Sequence, residues 1–190
     1  MRNENTIQNL LHRISEKGDE LAFRELFNLL AKGLYRFSFS ILKNKELAEE
    51  VVSDVFFNIW VHREGISKIE NFKSYIFTSA RNISLNYLKK EMRYKTIWME
   101  DVKVPLLMDE ICPESELIAN ELRTVIGEAI NHLPEKCKLI YSLAKIEQLK
   151  YKEIAEILGI SVKTIDNQLT IAFKKIGAEI QQYLETDQAT

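Results

Sequence analysis

Six polar side chains crowd one short stretch near the C-terminus: Ser161, Lys163, Thr164, Asn167, Gln168 and Lys174. Hydroxyl, amide and ammonium groups of this kind hydrogen-bond phosphate oxygens and the edges of base pairs. They are threaded through an apolar series, Val162, Ile165, Leu169, Phe173 and Ile176, whose spacing predicts a helix with one buried face. Just upstream, Ile154, Ala155 and Leu158 predict a shorter helix. Gly159 suits the left-handed turn that ends it, and Ser161 can cap the next. Two helices joined by so short a turn need a small residue where their backbones approach; Ala155 supplies it, and Ile165 fills the angle. This is the pattern of a helix-turn-helix, whose second helix enters the major groove of a DNA duplex. An ordinary helical hairpin satisfies part of the same pattern. Asp166 would repel phosphate and has to face away or accept from a cytosine.

A second constellation lies earlier. Between Lys68 and Lys95 stand seven basic residues (Lys68, Lys73, Arg81, Lys89, Lys90, Arg93, Lys95) against Glu70 and Glu91. Asn82, Asn86, Lys89 and Arg93 fall at helical intervals on one face. Phe72, Tyr75, Phe77, Tyr87, Tyr94 and Trp98 are interleaved with these charges. Cations that follow a backbone and rings that stack on bases suit a single nucleic-acid strand. The same residues also suit a solvated helix end that complements its dipole, with Phe72 and Tyr87 in the core.

Helices are expected to position both sets. Ile7, Leu10, Leu11 and Ile14 open a first helix, and Gly18-Asp19 breaks it and caps a second carrying Phe23, Leu26, Phe27, Leu30 and Leu34. After an interruption at Lys43-Asn44, Ala48, Val51, Val52, Val55, Phe56, Ile59 and Trp60 form an amphipathic stripe. A loop from His62 to Glu70 leads to Asn71, the expected N-cap of a long helix reaching about Arg93, with Phe72, Ile76, Ala80, Ile83 and Tyr87 inward. Leu122, Val125, Ile126, Ala129, Ile130 and Leu133 mark another helix, and Pro134 starts the next, with Leu139, Ile140, Leu143 and Ala144. No run alternates with period two, so the expected fold class is all-α.

Charge divides the chain. Residues 1–95 hold 16 basic against 12 acidic residues, residues 96–122 hold one against seven, and residues 123–190 hold nine of each. Two of the three prolines, Pro105 and Pro113, fall in the acidic stretch and oppose a continuous helix there. The expected organisation is a helical domain at 1–95, a linker at 96–116 and a second helical domain at 117–190. The linker is either a solvated spacer or, through Leu106, Leu107 and Met108, a segment that lies in a partner's groove.

The whole resembles one family. The segments LAEEVVSDVFFNIW (47–60), NFKSYIFTSARNISLNYLKK (71–90) and LPEKCKLIYSLAKIEQLKYKEIAEILGISVKTIDNQLTIAFKKI (133–176) are similar, in order, to the extracytoplasmic-function sigma factors of the sigma-70 family. The resemblance runs from about Asp19 to Leu184. It implies a sigma-2-like helical bundle and a sigma-4-like helix-turn-helix domain, acting as a dissociable initiation subunit of RNA polymerase. The helix at 47–60 would dock on the clamp helices of the polymerase largest subunit, with Glu50, Ser53, Asp54 and Asn58 on its exposed side. The segment from His62 and the helix after Asn71 would capture unpaired bases of the promoter minus-10 element through Lys73, Tyr75, Arg81, Asn82, Asn86 and Lys89. The rear helix would read the minus-35 duplex through Ser161, Lys163, Thr164, Asn167, Gln168 and Lys174. Gln168 departs from the histidine that many members carry at that position. The linker would thread toward the polymerase active centre and RNA exit path. An anti-sigma factor is an implied partner, and the free chain is expected to be a monomer.

Composition excludes other classes. With 46% hydrophobic and 28% charged residues the chain can bury a core, and no apolar run is long enough to span a membrane. A cytoplasmic protein without stable membrane insertion is expected. Cys112 and Cys137 lack a C-x-x-C spacing, His12, His62 and His132 are scattered, and no H-E-x-x-H or Walker glycine loop occurs. No catalytic residue, metal site, cofactor or enzyme activity is therefore expected. The alternative function is a conventional helix-turn-helix regulator with a dimerising or ligand-sensing front domain; a pure protein-interaction module would leave the Asn82/Asn86/Lys89 face without a nucleic-acid role.

Overall fold

A computed structural model describes residues 2–94 and 117–187 of the 190-residue chain, with side-chain surroundings for 5–90 and 124–185. The elements among the described residues are helical. The chain divides into two compact units, Met1–Val102 and Lys103–Thr190. The expected linker at 96–116 lies outside the described residues, as do Trp98 and the Leu106-Leu107-Met108 cluster.

The first unit comprises α1 (Arg2–Lys17), α2 (Glu20–Leu42), α3 (Lys45–Val61), a 3-10 helix (Arg63–Lys68) and α4 (Phe72–Tyr94). Local chemistry sets its boundaries. Gly18 turns the chain at φ +59°, and the Asp19 carboxylate accepts from the backbone N–H of Leu21 and Ala22, capping α2. Arg13 Nη2 meets the same carboxylate at 2.8 Å. These N–H groups and the guanidinium hold the Asp19 carboxyl below its ordinary pKa. Lys43 takes a left-handed conformation at φ +53°, and the Asn44 side chain accepts from the N–H of Leu47 to start α3.

The stripe of α3 is buried as the spacing requires: Ala48, Val51, Val52, Val55, Phe56 and Ile59 all face the core. Trp60 is half-buried, 4.9 Å from the ring of Phe23, with the Arg63 guanidinium 5.0 Å above it. Each such side chain removed from water stabilises the fold by roughly 1.5–3 kcal/mol.

Three expectations need correction here. Residues 62–70 are not a plain loop: Ser15 Oγ donates to the Glu64 carbonyl and Gln8 Nε2 to that of Ile69, so α1 organises a 3-10 helix that buries Ile66. Phe77 is not one of the surface aromatics interleaved with charge. It is fully buried and stands edge-on to Phe37 at 5.3 Å, because α4 crosses both α2 and α3 and needs a broader apolar face than a single stripe. Phe27, expected inside, remains 39% exposed, resting one face on Phe56.

The second unit comprises α5 (Leu117–Asn131), α6 (Glu135–Tyr141) continued by a π turn (Ser142–Ile146), α7 (Tyr151–Leu158) and α8 (Val162–Asp187). Pro134 stands immediately before α6. Ala129, Ile130, Leu133, Cys137, Ala172 and Ile176 form the core where α5 and α6 pack on α8. The wider i→i−5 turn, with Glu147 N–H donating to the Ser142 carbonyl, was not legible in the apolar spacing. Two registers also differ from expectation: Ile157 is fully buried while Leu158 is half-buried, and Ala172 takes the core position expected of Phe173. Phe173 is 46% exposed, against Tyr141 at 6.0 Å, and Lys145 lies over its ring. Val162, also expected inward, is 42% exposed at the first turn of α8.

Candidate nucleic-acid interface

Three hydrogen-bonded devices set the boundaries of α7 and the start of α8. The Lys150 N–H donates to the Glu153 carboxylate at the start of α7. Gly159, at φ +67° and ψ +36°, closes α7 by donating to the Ala155 carbonyl, a conformation glycine reaches without Cβ strain. Ser161 Oγ then accepts from the Thr164 N–H at 3.1 Å and opens α8. Ile165, Leu169 and Ala172 are buried, which fixes the rotation of α8 and hence the side chains it leaves outside.

Lys163, Asn167 and Lys174 lie exposed along that outer stripe. Thr170 joins them, its hydroxyl donating back to the Asp166 carbonyl. Ser161 and Thr164 are engaged with one another at 2.9 Å at the helix start. Gln168 is half-buried on the flank, and its Oε1 accepts from Cys137 Sγ at 2.8 Å. Sequence reasoning passed over Ile171, 41% exposed beside this stripe. Its signal was available: Ile171 is out of step with the inward series Ile165, Leu169, Ala172, Ile176.

In the first unit, α4 presents a different surface. Tyr75, Asn82, Asn86 and Lys89 are exposed on a common face, Tyr75 43% exposed with its ring 6.2 Å from that of Phe72. Arg93 continues that face by its spacing, though its side chain falls outside those described. Lys73 and Arg81 are half-buried and lie on other sides of the helix, so α4 does not gather all six chosen residues. The Lys90 ammonium sits 5.6 Å above the Tyr87 ring.

On the other side of α4, the Tyr87 hydroxyl donates to Asp54 Oδ2 at 3.0 Å and ties it to α3. Burial and the neighbouring Asp54 carboxylate push the Tyr87 pKa up to about 12. Asp54 is accordingly half-buried and engaged, whereas Glu50, Ser53 and Asn58 are exposed. Glu46, Glu49, Glu50, Ser53, Asp54 and Tyr87 line one open groove beside α3. Phe57, 66% exposed, and Val61, 49% exposed, extend this outer surface with apolar area. Sequence reasoning missed them, yet both fall outside the inward stripe of α3, so the signal was there in the spacing.

Comparison with known proteins agrees on both units. Residues 26–94 match the family described as Sigma-70 region 2, and residues 123–176 match Sigma-70, region 4. The chain belongs to the extracytoplasmic-function sigma factors of the sigma-70 family. It is 24% identical over 164 residues to the ECF RNA polymerase sigma factor SigW of Bacillus subtilis, covering 81% of this chain and 86% of that protein. It is 27% identical over 183 residues to the ECF RNA polymerase sigma-E factor of Haemophilus influenzae, covering 93% and 96%. Among solved structures, it shares the fold of the sigma factor RpoE of Bartonella quintana, determined in complex with the anti-sigma factor NepR. That match has a TM-score of 0.55 at 19% identity and covers 84% of this chain and 96% of the other.

As a sigma factor, the chain is a regulatory initiation subunit that directs promoter-specific transcription. Region 2 takes in most of α2 together with α3, the 3-10 helix and α4; region 4 takes in the helix-turn-helix of α7 and α8. Among the described residues, no group of His, Cys, Asp and Glu side chains is placed to hold a metal ion, and no helix is long and apolar enough to cross a membrane.

Proposed function

We propose that the two units divide promoter recognition by the state of the DNA. The first unit takes unpaired minus-10 bases on the α4 face of Tyr75, Asn82, Asn86 and Lys89, with Lys73 and Arg81 contributing from its flanks. The second reads the minus-35 duplex with Lys163, Asn167 and Lys174, flanked by Ser161, Thr164 and Gln168. The observation that carries this reading is the contrast between the surfaces: an exposed ring among amides and a lysine on a long helix, and a capped, projecting helix start in a helix-turn-helix. Rings stack on unpaired bases, whereas a helix N-terminus fits the major groove.

Separating DNA costs about 1.4 kcal/mol per stacked step, so opening a helical turn costs more than ten. One exposed tyrosine and a few amides do not offset that, which makes core polymerase the required partner. The outer surface of α3, with Glu50, Ser53, Asp54 and Asn58 and now Phe57, is the proposed docking face for the clamp helices of its largest subunit. Asp54 serves there with one oxygen, the other being engaged by Tyr87. An anti-sigma factor is the proposed inhibitor, in keeping with the complex in which the Bartonella protein was solved. The chain is proposed to act in the cytoplasm, to be monomeric when free, and to have no enzymatic activity of its own.

Run-off transcription with purified core polymerase tests the reading. Addition of the chain is expected to yield discrete promoter-dependent products from a genomic fragment library. Binding to duplex DNA as a dimer, with no such products, would favour the conventional regulator instead.

A further inference from the structure

The second unit contains a contact that promoter reading has not used. Cys137 belongs to α6, 3% exposed, in the core that receives α8, and its thiol reaches Gln168 Oε1 at 2.8 Å. Gln168 is half-buried on the flank of α8 beside Thr164 and Ile171. A thiol carries one proton and is a donor to oxygen, while the amide nitrogen is itself a donor and has no lone pair to receive it. Sulfur is only a weak acceptor for an amide N–H, so the thiol favours the oxygen end, and the structure places that end against it. The amide oxygen is drawn toward the core, and the NH2 group is the end left for an outside partner.

We propose that Cys137 is a positioning residue for promoter specificity, holding Gln168 as a hydrogen-bond donor toward the minus-35 base pair it faces. A free glutamine pairs with adenine through both ends of its amide, accepting from N6 and donating to N7. With its oxygen turned to Cys137, Gln168 presents the NH2 donors as its outward end. Guanine, with acceptors O6 and N7, and thymine, with acceptor O4, fit such a group; cytosine, whose major-groove edge is the N4 donor, opposes it. Gln168 thus selects guanine or thymine over cytosine at one position, and the selection depends on a buried side chain that never touches DNA.

This inference rests on the assignment of α8 to the minus-35 duplex, and the test separates the two. Holoenzyme reconstituted with core polymerase is assayed on a promoter library randomised across the minus-35 element. Gln168→Ala is expected to erase the preference at one base pair, and unchanged preference at every position would overturn the assignment of Gln168 to the duplex. Given that position, Cys137→Ala is expected to weaken guanine or thymine over cytosine there by at least about fivefold, the low end for one mismatched pair. Preferences elsewhere should stay as in the wild type. Cys137→Ser, which restores a donor, is expected to recover the wild-type profile. Gln168→Glu leaves the Cys137 core intact and turns the outward end into an acceptor, so its preference should move toward cytosine. A Cys137→Ala profile equal to the wild type, or a loss spread evenly over all positions, would overturn the positioning role.

Discussion

The outer faces of α4 and α8 are both helix surfaces with amides and lysines, yet the ligands proposed for them differ. On α4 the exposed residues spread along a long helix, from Tyr75 to Lys89, and include an aromatic ring. On α8 they begin at a side-chain cap, Ser161, and the nearby exposed ring, Phe173, lies off the line of Lys163, Asn167 and Lys174, against Tyr141 and Lys145. The difference teaches that composition alone does not distinguish a strand-binding face from a groove-reading one. Placement relative to the helix start does, together with whether a ring lies in line with the polar residues, as Tyr75 does with Asn82 and Asn86.

The foundations of the two faces differ too, and the largest effects should arise there. Phe77 anchors α4 against Phe37, while Ile165 anchors α8; both are fully buried. Phe77→Ala is expected to cost about 3–5 kcal/mol and Ile165→Ala about 2–5. Denaturant unfolding followed by probes in each unit should show each variant lowering the midpoint of its own unit only. A shared loss in both would make the two faces parts of one cooperative body.

A middle-sized effect concerns charge on α8. If Lys163 and Lys174 each contact a phosphate, replacing both with alanine should reduce the slope of log K against log salt for minus-35 duplex binding by about 1.8, at about 0.9 per contact. Holoenzyme titrations over a range of salt check this, and an unchanged slope would remove both lysines from the interface.

The smallest effect sits behind α4. Tyr87→Phe removes the bond to Asp54 and should destabilise the first unit by about 0.5–1.5 kcal/mol. It also has a pH signature. Because the folded state raises the Tyr87 pKa from 10 to about 12, it holds that proton more tightly than the unfolded chain. The wild-type contribution is whole below pH 10 and is lost as pH climbs toward 12. Stability curves of wild type and Tyr87→Phe should therefore converge over that interval; a gap that persists to pH 12 would deny the tie its role.

Much of this organisation was legible because it is local. Asp19, Asn44, Gly159 and Ser161 cap or turn helices through bonds to residues two to four positions away, and such devices leave a mark in the sequence. The register of each apolar face was harder to read. Phe77 and Phe173 follow the same helical period, but one meets α2 and the other meets solvent, a distinction made by packing partners remote in the chain. The 3-10 helix depends on α1 in the same way, through Ser15 and Gln8. Of the candidate residues, Asn82, Asn86 and Lys89 share a face as their spacing required. Lys73 and Arg81 do not, because basic character alone carries no information about direction around a helix. The Cys137–Gln168 contact joins residues 31 positions apart and has no sequence signature.

The division of labour is tested most directly by holoenzyme binding to two DNAs, one presenting only single-stranded minus-10 sequence beside a short duplex and one presenting only the minus-35 duplex. Replacing Tyr75 and Asn86 with alanine should weaken the first by about tenfold or more, the equivalent of roughly 1.4 kcal/mol, and leave the second unchanged. Replacing Lys163 and Asn167 should do the reverse. If both pairs of substitutions weaken both DNAs alike, the two units do not separate melted strand from intact duplex, and the account is wrong.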